Sequence, residues 1–462
     1  MCPVSDTKSV QLTKDAGPPG STAAGAGKPK RTRVPRSVEA RIQSILGIVL
    51  VLVALALPLY LENAFLVMGL SVMAAAVGAI GLNLLSGVTG QLSLAHAFFI
   101  AIGTYGYAYF SGSPGGVATA YGGLELPPLL GASMAVVLAG LAGLAFSPIA
   151  SRLSGIYLGV ASLSLVFLGQ HLLFNWESVT GGPNGRSVPT FSLFGFPFAN
   201  PAVGDTQITI LNVTLMRNEL LWYLFLAVLI IGYLFARNLL RGRPGRALQM
   251  IRDKQTAAAV MGVNVRRYKA SAFVVSSMYA GAAGVLLGLL LRVPTPGSFG
   301  LILSVTYLAM IVIGGLGSIP GAVVGAAFVA ATPLLLNLYS DFFPFLADPG
   351  SGGVDSGTLA KYLYGGAVVV VLLLEPGGVA ALGRRLLFAV TGTTRRQKVR
   401  AAAPVTSPVA ETGEPLESEP LDGSADTHST GSLGSSSDSS AVAPPQHPDR
   451  GTDPSTEGNR RP

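Results

Sequence analysis

The stretch RGRPGRALQMIRDKQTAAAVMGVNVRRYK, residues 241–269, is strongly basic and lies between two long apolar runs. Pro244 is placed to open a helix, where its missing N–H costs nothing. Leu248, Ile251, Ala258 and Gly262 recur at helical spacing, so they share one face of a short amphipathic helix. Gly262, followed by Asn264, reads as the helix stop. Basic residues at both ends hold such a loop on the cytoplasmic side of a membrane. A short structured loop with an apolar face needs a surface to dock against.

The rest of the chain supplies the membrane. Of its 462 residues, 50% are hydrophobic and 12% are charged, against about 25% charged in soluble domains. The mean hydropathy is +0.54. Apolar runs near the ~20 residues a bilayer requires fall at about 42–61, 65–85, 93–110, 129–150, 156–174, 219–238, 269–291, 299–315, 318–338 and 361–375. The fold class is therefore all-α: a polytopic transmembrane helix bundle of about ten spans, with disordered N- and C-terminal segments. Residues 1–41 read as a disordered basic cytoplasmic arm, 42–390 as the transmembrane domain, and 391–462 as a disordered tail rich in Ser, Pro and acidic residues.

Charge orients the bundle. Lys28, Lys30, Arg31, Arg33 and Arg36 precede the first span. The central loop follows the sixth span, and Arg384, Arg385, Arg395, Arg396, Lys398 and Arg400 follow the tenth. With an even span count all three clusters, and Arg152 after the fourth span, lie inside, and both termini are cytoplasmic. The net charge of +8 follows this pattern and is no nucleic-acid signal. The single cysteine, Cys2, excludes an intrachain disulfide or a Cys-based metal site. His428 and His447 lie too far apart to suggest a metal, and no secretory signal is visible. Gly27-Lys28 is followed by Pro29 instead of Ser or Thr, so it is no phosphate loop, and no other occurs. If ATP drives this protein, another subunit binds it.

Residues 81–105, GLNLLSGVTGQLSLAHAFFIAIGTY, place Asn83, Gln91, Ser93 and His96 at or near membrane depth. Polar groups there usually face the bundle or a pathway. Gly87 and Gly90 permit a broken helix whose freed backbone groups meet a solute. Residues 86–92 and 314–321 are both glycine-interrupted and fit such breaks. Plainer roles fit the same residues. Asn83 and Gln91 suit hydrogen bonds across a helix interface, and His96 suits packing. Gly281, Gly284, Gly321 and Gly325 suit close helix contact, and Tyr105, Tyr107 and Tyr109 fit an aromatic belt at the outer interface as well as a gate.

Four segments resemble one family. Residues 256–262, TAAAVMG, resemble the Glu-Ala-Ala-x-x-x-Gly loop of ABC-importer permeases, with Thr256 where the family most often has Glu. Residues 81–96 resemble the Gly-Leu-Asn-Leu-x-x-Gly-x-x-Gly-Gln-x-Ser-Leu-x-His segment of branched-chain amino acid permeases of the LivM type. WESVTGGPNG, residues 176–185, resembles that family's external Thr-Gly-Gly loop, and IGGLGSIPG, residues 313–321, its glycine-rich signature. The resemblance covers roughly 65–380.

It implies the permease subunit of an ATP-binding cassette importer in the inner membrane, not an enzyme, working by alternating access. The solute would be a branched-chain or other apolar amino acid. Relatives that carry urea or short amides are the alternative. The implied partners are ATPase subunits that hold ATP-Mg, a second permease subunit and an extracytoplasmic solute-binding protein. The implied translocation path is Asn83, Gly87, Gly90, Gln91, Ser93 and His96; the ATPase coupling residues are Arg246, Ala257, Ala258 and Gly262. Thr180, Gly181, Gly182 and Asn184 would face the binding protein.

Two other classes stay open on residues alone. A proton-coupled secondary transporter would carry a carboxylate inside a span. Glu62, Glu219 and Glu375 fall at span ends, and Asp341, Asp348 and Asp355 in a loop; sodium sites built from carbonyls escape that test. A channel or scaffold would leave the basic loop without a role. The composition beyond residue 401 argues against a packed core. Truncation there is expected to leave solute uptake near the full-length rate. A correctly inserted but inactive truncation would contradict that expectation.

Overall fold

In apolar surroundings a spanning segment satisfies its own backbone, which makes uncharged apolar runs helical. The computed structural model describes residues 38–113, 122–193, 196–199, 209–210, 213–214, 216–339, 356–374 and 378–379. All lie in the first of two units, Met1–Arg396. The expected arm before residue 38, the tail, and Asp341, Asp348, Asp355 and Glu375 lie outside the described residues.

The helices are α1 Val38–Ala56, α2 Asn63–Leu82, α3 His96–Phe110, α4 Pro128–Arg152, α5 Ile156–Asn175, the single turn α6 Glu177–Thr180, α7 Arg217–Arg241, α8 Arg243–Asp253, α9 Gln255–Val260, α10 Val265–Leu291, α11 Leu301–Gly314, α12 Ile319–Leu338 and α13 Ser356–Leu374. Each of the ten expected spans has its helix. Two antiparallel two-residue ladders, Ser192–Leu193 with Phe196–Pro197 and Thr209–Ile210 with Val213–Thr214, are the strands among the described residues. Among the described residues, six helices are long and apolar enough to cross a bilayer by themselves: α2 with its continuation to Val88, α4, α5, α7, α10 and α12. The chain is a multi-pass membrane protein. α3 has 15 residues and α11 has 14, short of the roughly 20 a span needs. Both adjoin the expected breaks.

Burial sorts the bundle. In their most apolar windows α2 is 67% buried and α10 61%, while α4, α5, α7 and α12 lie between 28% and 33%. So α2 and α10 form the centre. α10 lies against α4, α3 and α2, and α2 also against α12 and α7. The outer helices turn large apolar side chains outward, such as Ile156, Phe167, Ile231 and Phe235.

Small residues set the central approach. A Cβ on Gly284 of α10 would sit 2.0 Å from the Ile100 carbonyl oxygen of α3, and one on Gly281 would sit 2.5 Å from Ala139 Cβ of α4. A Cβ on Gly325 of α12 would meet the Met310 oxygen of α11 at 1.9 Å. Thr104 Oγ1 of α3 donates to the Gly284 oxygen at 2.6 Å, a bond such close backbones allow. The close-packing role expected of these glycines is therefore observed.

Two expectations change. Tyr105 and Tyr107 form no surface belt. Both are buried, and their hydroxyls donate to the carbonyls of Pro294 at 3.0 Å and Pro189 at 3.4 Å. The central amphipathic helix is two helices, because Lys254 is extended between α8 and α9. Gly262 does end α9, at φ +81°, but Asn264 caps α10 by accepting the Arg267 N–H at 3.1 Å.

Gly284→Val is expected to destabilise the protein by about 3 kcal/mol or more, since backbone on α3 occupies the space a side chain needs. Gly365→Ala, with nothing within 4 Å of its Cβ, should change stability by under about 0.5 kcal/mol. Denaturation in detergent, comparing the two variants, checks the pair.

Candidate functional site

α2 does not end cleanly. Its last turn widens into a π-helix, Asn83–Val88, and the chain then runs without helix until Ala95. Widened turns leave backbone groups short of their usual partners, and such segments recur at functional sites. Thr89 Oγ1 takes up the Leu85 carbonyl at 2.6 Å, and Ser86 Oγ donates to the Gln91 oxygen at 3.0 Å. The second break, residues 315–318 between α11 and α12, lies directly against the first. Asn83 joins them: its Nδ2 donates to the Ser318 oxygen at 2.9 Å, and its Oδ1 accepts the Gly317 N–H at 2.8 Å. A Cβ on Gly87 would meet Asn83 Oδ1 at 2.0 Å and Gly317 N at 2.4 Å, so only glycine fits.

Beyond the clamp, Gln91, Ser93 and His96 are all buried, while Gly90 is exposed at φ +70°. Gln91 Nε2 donates to Thr89 Oγ1 at 3.0 Å and approaches the Lys269 oxygen at 3.5 Å. Ser93 Oγ accepts the Ala95 N–H at 3.4 Å. The His96 ring lies 5.0 Å from the Tyr307 ring. Gln91 Oε1 and His96 Nε2 have no hydrogen-bond partner among the described residues. Orphaned buried polar atoms are uncommon and unfavourable.

The basic loop covers this region from one end of the bundle. Gly245, Ala247, Leu248 and Ile251 of α8 and Ala258 of α9 are buried within the chain. The apolar face therefore docks on the protein's own helices. Arg246, Ala257 and Gly262 are exposed. The outward apolar tip is Val260, 89% exposed, and Met261, 74% exposed.

At the Thr-Gly-Gly loop, Thr180, Gly181 and Gly182 are buried, and Asn184 is exposed beside Pro183. Thr180 Oγ1 donates to the Leu173 oxygen at 2.6 Å and accepts the Gly182 N–H at 3.2 Å. Buried Arg186 fastens the turn, donating to the oxygens of Val179 at 3.1 Å and Gly122 at 2.9 Å. Burial pulls its guanidinium below the ordinary arginine value, opposed by Tyr109 beneath it. Among the described residues no group of three or more His, Cys, Asp or Glu gathers to hold a metal ion.

The profile of the family described as branched-chain amino acid transport system / permease component matches residues 64–373. The chain belongs to that family. The permease is 27% identical over 363 residues to the high-affinity branched-chain amino acid transport system permease protein LivM of Escherichia coli K12, covering 77% of this chain and 79% of the relative. It is 28% identical over 265 residues to LivH of Salmonella typhimurium, covering 56% and 81%. It is 26% identical over 314 residues to BraD of Pseudomonas aeruginosa, covering 66% and 90%. No solved structure matches it.

Sequence reasoning placed the breaks and their polar residues in the permease. It missed Arg252, whose Nη1 donates to the Gly87 oxygen at 2.5 Å, and Arg186. Basic residues are expected at loop edges, so neither carried a local signal.

Asn83→Ala would leave the Gly317 N–H unpaired, while the Ser318 carbonyl keeps the Ala322 N–H. A loss of about 1–3 kcal/mol is expected, the usual cost of one buried orphan. Ser133→Ala, which removes only an exposed bond within α4, should change stability by under about 0.5 kcal/mol. Equal unfolding midpoints for the two variants would refute the clamp.

Proposed function

We propose that this permease is the transmembrane subunit of an ATP-driven importer for branched-chain or other apolar amino acids. A partner ATPase binds ATP-Mg and receives the α8–α9 loop. A second permease subunit completes the path, and an extracytoplasmic binding protein delivers solute near Asn184. The basic clusters support cytoplasmic termini and a plasma-membrane location.

The observation that carries this reading is the two-sided loop. Its inner face is fixed to the bundle, while Val260 and Met261 project outward, with Arg246, Arg266 and Arg267 exposed on the same loop. An exposed apolar tip with basic flanks fits a groove in a partner. A loop anchored on its other side would pass the partner's displacement into the membrane. The break at 83–95 is the proposed solute path, with Gln91 Oε1 and His96 Nε2 offering unpaired polar atoms to a small solute. ATP then drives transport only through its differential affinity for inward- and outward-facing states.

The complex, purified with its ATPase, second permease and binding protein, should accumulate leucine in proteoliposomes with ATP inside. Urea and short amides should neither accumulate nor compete. Val260→Asp with Met261→Asp should release the ATPase and cut uptake by roughly tenfold or more, since hot-spot losses of about 2 kcal/mol or above are typical of apolar anchors. The variant's melting should not change, because both side chains are exposed. Retained ATPase binding would show that the loop is not the seat. Urea uptake without leucine uptake would replace the substrate class.

A further inference from the structure

We propose that Arg252 is the positioning residue through which movement of the α8–α9 loop reaches both helix breaks. The proposal rests on the reading of that loop as the ATPase seat. Arg252 belongs to α8 and is an exposed residue, and its guanidinium reaches the edge of the clamp between α2 and the 315–318 turn. Its Nη1 donates to the Gly87 carbonyl at 2.5 Å. The same nitrogen lies 3.2 Å from where a Cβ on Gly317 would stand, and Gly317 is at φ +83°. Its stem passes Gly90, whose Cβ position is 3.4 Å from Arg252 Cγ. One side chain from the loop thus touches the π-turn, its exit and the opposing turn.

The chemistry suits transmission. A carbonyl in a widened turn is available to an outside donor, and a charged donor makes a bond roughly twice as strong as a neutral one. Gly87 and Gly317 have no side chains to cushion the contact, so displacement of the guanidinium moves backbone directly. Asn83 then ties the two breaks to each other. A π-turn between two packed helices has an α-helical alternative one residue away in register, the kind of bistable element a switch requires.

Hydrogen–deuterium exchange on the wild-type complex in nanodiscs, with and without a non-hydrolysable ATP analogue, tests this directly. Peptides covering 250–262 should change exchange on nucleotide binding, and those covering 84–91 and 315–319 should change with them. In Arg252→Gln the change at 250–262 should persist while that at 84–91 is lost. Solute moved per ATP hydrolysed should fall by roughly ten- to a hundredfold, the range of an ordinary coupling free energy. Arg252→Lys, which keeps a charged donor, should recover part of that ratio. If 250–262 responds in the wild type and the two breaks do not, the relay is wrong and the ATPase-seat reading stands. If 250–262 does not respond either, both fail. Persistence of the 84–91 response in Arg252→Gln also overturns the relay. The wild-type measurement decides even if the variants do not assemble.

Discussion

Backbone polar groups inside an apolar bundle must find partners, and two non-helical breaks in one bundle double that demand. This protein meets it by placing the breaks against each other. Asn83 donates to the Ser318 carbonyl, which also accepts the Ala322 N–H, and accepts the Gly317 N–H, so a single amide satisfies that N–H and ties the π-segment to the turn. Much else follows from that contact. Gly87 must lack a side chain for it to form, and α2, α11 and α12 are held in register by it. Only then do Gln91 and His96 stand where their free atoms are enclosed.

Close helix contact carries the rest. In lipid there is little hydrophobic gain between helices, so packing at glycine and alanine contributes most of the association. Gly281, Gly284 and Gly325 bring backbones within reach, which turns Thr104 into an interhelical donor. The central helices are therefore rigidly spaced, and the outer ones show apolar side chains outward.

The basic loop divides its residues between two tasks. α8 spends its apolar face on the bundle, and the short α9 carries Val260 and Met261 into the open. The break at Lys254 makes this possible, because one continuous helix would turn a single stripe to a single side. A loop fastened inside and available outside is mechanically suited to pass force between a soluble partner and the membrane.

The amino-acid sequence by itself determined the element types and their order: ten apolar runs, two glycine-interrupted breaks, a basic loop ending at Gly262. Such features are local, written in hydropathy, charge and the backbone freedom of glycine. It also singled out Asn83, Gln91, Ser93 and His96, because polar residues at membrane depth stand out against apolar neighbours. The apolar face of 241–269 was legible, but its occupant was not: periodicity shows that a face is covered without saying by what. Tyr105 and Tyr107 read as a surface belt because aromatic spacing is the same for a belt and for a core. Only the tertiary structure decided that Asn83 meets residues 317 and 318, more than two hundred positions away, and that Arg252 reaches Gly87. Those pairings depend on how helices cross, and helix crossing is set by many small contacts at once, none of which leaves a mark in any one stretch of chain.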